Sequence, residues 1–195
     1  MIAAIVLAAG ASRRFGAQKL LAELHGKPVI RWTVEHIREA GVDDVIVVLG
    51  RDRERVRKAL EGLDVRFVVN EEYAAGLSAS MRTGVQALTA DTRAVVIALG
   101  DQPTVGCSVV DPLIERYRES GRPVVAPDYR GIRGNPVLFD ASLFSELATV
   151  RGDFGAREVI ARDPSRVEMV ELDCDAPEDV DTEEELEKLA EKWAE

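Results

Sequence analysis

The sequence predicts an α/β fold of three layers, a mainly parallel sheet with helices on both faces, and three observations predict it. Short apolar runs rich in valine and isoleucine recur along the chain: IAAIVLA (2–8), VIVVLG (45–50), VRFVV (65–69), AVVIALG (94–100), PVVAP (123–127) and PVLF (136–139). Near-continuous apolar strands of this kind belong to a sheet covered on both faces. Helical patterns fall between the runs, and strands alternating with helices build parallel sheets through crossover connections.

The elements follow in order. Pro28 stands where a first helical turn tolerates proline, Ile30, Val34 and Ile37 recur at helical spacing, and Gly41 follows as a stop signal. Met81, Val85 and Leu88 repeat that spacing, and so do Val110, Leu113, Ile114 and Tyr117 after a Ser108 cap. Near the carboxyl end Thr182 and Glu185 have the spacing of a capping box, and Leu186, Leu189, Ala190 and Trp193 form one apolar stripe on an acidic helix. With 195 residues, 46% of them hydrophobic, the chain buries a real core. It reads as a single domain, 1–195, without internal repeats or a proline-rich linker.

The formal charge of −10 argues against nucleic acid or an anionic membrane as partner. The acids are concentrated: residues 171–195 hold twelve against Lys188 and Lys192, which accounts for the whole excess. Residues 1–22 instead carry Arg13, Arg14 and Lys19 and no acid. A cationic amino terminus in an acidic protein suits an anionic small molecule; chance clustering of surface charge is the alternative. No apolar run is long enough to span a membrane, and Met1 lacks the basic flank of a secretory signal, so a soluble, cytoplasmic protein is expected. Cys107 and Cys174 lie far apart without metal-ligand spacing and are expected to be inert packing residues.

The loop LAAGASRRFGAQK, Leu7 to Lys19, leaves the first strand at the sheet edge where open α/β sheets bind ligands. Gly10 and Gly16 let the backbone turn tightly and aim N–H groups at phosphate oxygens, while Arg14 and Lys19 supply full charges. The Walker pattern fails, since five residues separate these glycines and Ala17 and Gln18 intervene before Lys19. No G-x-G-x-x-G follows a strand and no G-x-S-x-G accompanies His25 or His36, for which surface roles are expected.

LAAGASRRFGAQK resembles the signature of the nucleotidyltransferases that include the molybdenum cofactor cytidylyltransferases and guanylyltransferases. ALGDQP (98–103), GIRGNPVLF (131–139), GDFGAR (152–157) and DCDAPED (173–179) resemble blocks of the cytidylyltransferase branch in the same order. The resemblance implies a Rossmann-like nucleotidyltransferase fold and a cofactor, Mg2+, held by Asp101; a turn-forming aspartate ahead of Pro103 is the alternative. Asp175 matches the second acidic position, with Ala176 where threonine is usual; a solvated acidic turn is its other reading. Leu7, Ala8, Ala9, Gly10, Ala11, Ser12, Arg13 and Gly16 are implied to bind nucleotide, with Gly76, Ser78 and Ser80 near base and ribose. Ser78 or Ser80 could equally cap the helix that follows. Gly134, Asn135, Pro136, Asp153 and Arg157 fall in acceptor-side segments, although Arg157 could simply pair with a nearby acid.

The implied reaction moves CMP from CTP to a molybdopterin-type cofactor, possession of a client molybdoenzyme being a further expectation. The acceptor phosphate is already ionised at neutral pH, so no general base is needed. Arg14, Lys19 and the Gly10–Gly16 backbone would hold the β and γ phosphates, and Asp101 the metal. Ala9 favours CTP, because the guanylyltransferase branch tends to have a second glycine there. Another triphosphate, a sugar-phosphate or isoprenoid acceptor, and a noncatalytic cofactor carrier are the competing readings.

Overall fold

The computed structural model describes residues 1–10, 18–152 and 155–193. Strand β1 (Ile2–Ala8) is followed by a small hairpin, β2 (Glu23–Leu24) and β3 (Lys27–Pro28), and then by α1 (Val29–Glu39). Next come β4 (Asp44–Leu49), α2 (Arg53–Ala59), β5 (Arg66–Val69), α3 (Leu77–Gln86), β6 (Ala94–Leu99) and α4 (Cys107–Ser120). The chain continues through β7 (Val124–Tyr129), β8 (Ile132–Arg133), β9 (Val137–Asp140), α5 (Phe144–Leu147), α6 (Arg157–Arg162), β10 (Val167–Leu172) and α7 (Glu183–Trp193).

The sheet order is β10-β7-β9-β6-β1-β4-β5, with β8 paired to β7. Every neighbouring pair in that path is parallel except those made by β9, which runs against β6 and β7. One reversed strand has a large consequence. The loops leaving β1, β4, β5, β6, β7 and β10 all emerge at one edge, and β9 enters there, so the segment around Asn135 joins them.

All seven residues of β1 are buried, and their alternation explains the layers. Ala4, Val6 and Ala8 face Ile30, Val34, Ile37, Leu113 and Ile114 on α1 and α4, whereas Ala3, Ile5 and Leu7 face Met81 and Val85 on α3 and Val159 and Ile160 on α6. Helix α3 comes very close to the sheet: a Cβ at Gly84 would lie 2.6 Å from Ile5 Cγ2, so no larger residue fits without displacement. A smaller cluster of Leu24, Val29, Val180 and Leu189, with Trp32 and Trp193 against it, docks α7 onto α1. Burying Val180 and Leu189 there contributes roughly 1.5–3 kcal/mol each, and fixes the path of the segment before α7.

Several details differ from the sequence expectations. Strand β10 is not an apolar run, because it lies at the edge and turns Met169 and Glu171 outward. Ser108 is not the cap of α4; Gly106 holds that position and no side chain caps the helix, which already includes Cys107. Cys107 and Cys174 are free and exposed rather than packed. His36 is only half exposed: its Nδ1 donates to the Pro103 carbonyl at 2.7 Å and its ring lies 5.8 Å from that of Trp193. Among the described residues no helix is long and apolar enough to cross a membrane.

Candidate active site

Strands β1 and β6 are neighbours in register, Leu7 opposite Leu99, so the turns that follow them leave the sheet side by side. Gly100 N–H donates to the Leu7 carbonyl at 3.0 Å, and a Cβ there would lie 2.8 Å from Ile30. A side chain there would have to displace the Ile30 terminal methyl and crowd the Leu7 carbonyl. Thr33, buried on α1, donates its hydroxyl to the Gly100 carbonyl at 3.0 Å, and Asp101 follows directly at the mouth of the sheet edge.

Lys19 opens a short turn, Lys19–Leu21, whose Leu20 is buried in the core. Its ammonium is bound by Asp101 Oδ2 and by Asp181 Oδ1, the latter at 2.5 Å. Lys19 and Asp101 are each only 14% exposed. Burial disfavours the charged amine, but the two carboxylates outweigh it and hold Lys19 above the ordinary lysine value. Asp181 is held in turn by the capping box: Glu185 Oε2 accepts from the N–H groups of Asp181 and Thr182 at 2.8 Å each, and Thr182 Oγ1 accepts from Glu185 N–H. Val180 N–H donates to the Asp101 carbonyl at 3.2 Å, joining the two acidic segments through their backbones.

Asp179 completes the group. Gln102 Nε2 donates to Asp179 Oδ1 at 2.8 Å, and burial together with the charge of Asp101 holds this carboxyl above the usual aspartate range. Gln102 Oε1 is buried with no hydrogen-bond partner among the described residues. Asp101 and Asp181 thus bind Lys19, and Asp179 stands close by on Gln102. Among the described residues no group of three or more His, Cys, Asp or Glu side chains has a geometry that could hold a metal ion.

Asp175 lies elsewhere on the same segment, 3.0 Å from Arg130 and 3.8 Å from Lys192 and largely exposed. The acid that meets Lys19 is Asp181, six positions on, because burial of Val180 and the capping box fix the register there. The sequence carried this signal in Thr182 and Glu185, whose capping box immobilises the residue before it.

Around this centre, Leu7, Ala8 and Ala9 have buried side chains, and a Cβ at Gly50 would lie 2.8 Å from that of Ala9. Gly10 is exposed, with open space where a side chain would be. Ala11, Ser12, Arg13, Arg14, Gly16 and Asp153 lie outside the described residues. Gly76, at φ 97°, caps α3. Neither serine caps it: Ser78 Oγ donates to the Gly152 carbonyl at 2.5 Å, and Ser80 Oγ accepts from Asn70 Nδ2 at 3.0 Å. Both hydroxyls are buried and satisfied within the protein.

On the acceptor side, Gly134 packs against the Tyr129 ring, where a Cβ would meet it at 2.9 Å. The Tyr129 hydroxyl donates to the Asn135 carbonyl at 2.6 Å, and the Asn135–Pro136 bond is cis. Arg157 opens α6, exposed, and pairs with no acid among the described residues. Sequence reasoning missed Asp179, Asp181 and Gln102, whose part in the cluster depends on a contact between segments about 80 residues apart.

Residues 4–167 match the family model described as MobA-like NTP transferase domain. The chain belongs to this family. Relatives of the MobA-like domain include the nicotine blue oxidoreductase of Paenarthrobacter nicotinovorans, 30% identical over 96% of each chain. A probable molybdenum cofactor guanylyltransferase of Thermococcus sibiricus is 30% identical over 65% of this chain and 61% of its own length. Among solved structures, that of Rv0371C in complex with manganese, from Mycobacterium tuberculosis, is 30% identical with a TM-score of 0.83, covering 97% of this chain and 98% of that one. The protein is thus a nucleotidyltransferase of the MobA-like family with the α/β Rossmann-like fold those relatives share.

Proposed function

We propose that this MobA-like nucleotidyltransferase passes CMP from CTP to a phosphorylated acceptor of the molybdopterin type, with pyrophosphate as the leaving group. The observation that carries the reading is the meeting of Lys19 with Asp101 and Asp181 at the edge where β1 and β6 end. A reaction between two anions needs cations against the phosphates and carboxylates to hold a divalent ion, and both kinds of group stand at this point.

The donors fit magnesium, which takes hard oxygen ligands from one or two carboxylates and fills its remaining positions with phosphate and water. Asp101 and Asp181 would hold it, with Asp175, paired to Arg130, a less direct candidate. Bound there, the ion would offset phosphate charge and stabilise the leaving pyrophosphate. Lys19 supplies a cation to the β and γ phosphates, joined in this reading by Arg14 and the N–H groups of Gly10 to Gly16. Gly76, Ser78 and Ser80 support the nucleotide side by fixing the backbone rather than by offering free hydroxyls. Gly134, Asn135, Pro136, Asp153 and Arg157 form the acceptor side, Arg157 being the exposed cation for its phosphate.

The preference for CTP rests on resemblance alone: Ala9 stands where the guanylyltransferase branch tends to have a second glycine. Guanylyl transfer is the nearest rival, supported by the name of the Thermococcus sibiricus relative. Pyrophosphate release measured across the four ribonucleoside triphosphates, with molybdopterin, sugar-phosphate and isoprenoid-phosphate acceptors, tests the proposal. Release only with CTP and the pterin supports it; release with GTP alone overturns the cytidylyl assignment.

A second reading follows the match with nicotine blue oxidoreductase, which covers 96% of both chains. It makes this chain an oxidoreductase. Two-electron reduction of nicotine blue by a reduced nicotinamide in the presence of the protein, without any pyrophosphate release, would establish it.

A further inference from the structure

Resting on the nucleotidyl-transfer reading above, the geometry points to a lock in the ligand-free site: we propose that Lys19 occupies the divalent-cation position between Asp101 and Asp181, so that metal binds tightly only after a triphosphate draws the lysine away.

The ammonium is in hydrogen-bond contact with one oxygen from each carboxylate, at 2.5 Å for Asp181. Magnesium would require about 2.0–2.1 Å to the same kind of oxygen. Both cations compete for one small space, and their charges repel. Each acid contributes its own negative charge, and Asp179 stands nearby, its Oδ1 accepting from Gln102 next to Asp101.

The surrounding structure makes the lysine the movable partner. Asp101 is fixed through its carbonyl by Val180 N–H, and Asp181 through its N–H by Glu185. The backbone of Lys19 is held by buried Leu20 and by the Ala22 N–H bond to the Lys19 carbonyl at 3.1 Å. Its ammonium sits on a flexible four-carbon stem, long enough to turn from carboxylate to phosphate oxygen without moving the chain. Triphosphate and metal then assist one another. The nucleotide removes the competing cation, and the metal repays the two carboxylates for losing it. Linkage makes the effect reciprocal, and couplings between sites commonly amount to about 5- to 150-fold in affinity.

Manganese titration of the nucleotide-free protein, followed by the electron paramagnetic resonance of the free ion, tests the lock without any turnover. In the wild-type protein manganese is expected to bind weakly alone and at least about tenfold more tightly with a nonhydrolysable CTP analogue. Lys19→Met, which keeps the stem and removes the charge, is expected to bind manganese alone about tenfold more tightly than wild type. Lys19→Arg should remain weak, and adding Asp181→Asn to Lys19→Met should abolish the gain. Equal manganese affinity in wild type and Lys19→Met overturns the lock, as does tight binding to the nucleotide-free wild type, a comparison that needs no variant to fold. These outcomes differ from failure of the functional reading, which would appear as absence of triphosphate binding with metal present.

Discussion

The Lys19 ammonium meets the Asp181 carboxylate at 2.5 Å across 162 positions of sequence. The contact ties the first connection of the sheet to the turn before the last helix, and it depends on α7 being docked. Trp193 lies 5.1 Å from Trp32 of α1, ring to ring, and Val180 is buried beneath them. Removing α7 would therefore disturb the site as well as the fold.

Replacement of Lys19 or Asp101 by alanine is expected to lower turnover by roughly a hundredfold or more, the size seen when one fixed charge or donor is removed from a transition-state site. Circular dichroism should be unchanged. Pyrophosphate release is the measurement, and near-normal activity in either variant would remove that residue from the mechanism.

The two acidic positions of the 173–182 segment should separate. Asp181→Asn is expected to reduce turnover by about tenfold or more, since it touches Lys19 directly, whereas Asp175→Asn loses only exposed pairs with Arg130 and Lys192 worth about 0–1 kcal/mol in stability. Comparing kcat of the two variants decides which carboxylate serves the site. A larger loss for Asp175→Asn would restore the assignment made from sequence.

Ser78→Ala removes a buried hydroxyl bonded to the Gly152 carbonyl, and is expected to cost about 1 kcal/mol of stability. In a chain of this size that corresponds to a Tm lower by about 2–4 °C. If KM for the triphosphate instead rises severalfold with no change in Tm, the hydroxyl belongs to the nucleotide.

Gly84→Ala sets helix propensity against packing. Alanine gains just under about 1 kcal/mol within a helix, but its Cβ would lie 2.6 Å from Ile5 Cγ2 and 3.1 Å from Val48 Cγ2. Overpacking costs about 1–3 kcal/mol, so packing should win and denaturant unfolding should show net destabilisation. A more stable variant would mean that α3 can move away from the sheet.

The buried carboxyl of Asp179 gives a pH dependence with a definite sign. Burial and Asp101 raise its value in the folded protein above that of the unfolded chain, so the folded state binds the proton more strongly. Its contribution to stability is fully present below the ordinary aspartate value and is lost as pH rises through the higher folded value. Asp179→Asn should therefore raise Tm at neutral pH in metal-free buffer, with the gain vanishing well below the ordinary aspartate value. A Tm lowered at neutral pH would show that Gln102 and Lys19 stabilise the charged form after all.

Much of the fold was legible because local and global signals agreed. The run at 2–8 is β1 itself, and the capping box at Thr182 and Glu185 forms with both reciprocal bonds. Strand β10 escaped because an edge strand need not be apolar on both faces, and glutamates at 168 and 171 interrupt Val167–Leu172. In the site, the sequence pointed to Lys19 and Asp101 as two sides of one cleft, Lys19 on the loop after the first strand and Asp101 just past the end of a later one. It could not reveal that they touch, nor that Asp181 joins them, because those contacts depend on how α7 packs against α1. The buried roles of Ser78 and Ser80 were hidden for the same reason: Gly152 and Asn70 reach them from other segments.

The most direct test of the account is a crystal of the protein soaked with CTP and magnesium. The expected result has the triphosphate along the turn after β1, the ion between Asp101 and Asp181, and Lys19 Nζ on phosphate oxygen. A nucleotide bound elsewhere, with Lys19 still held by both aspartates, would contradict the central claim.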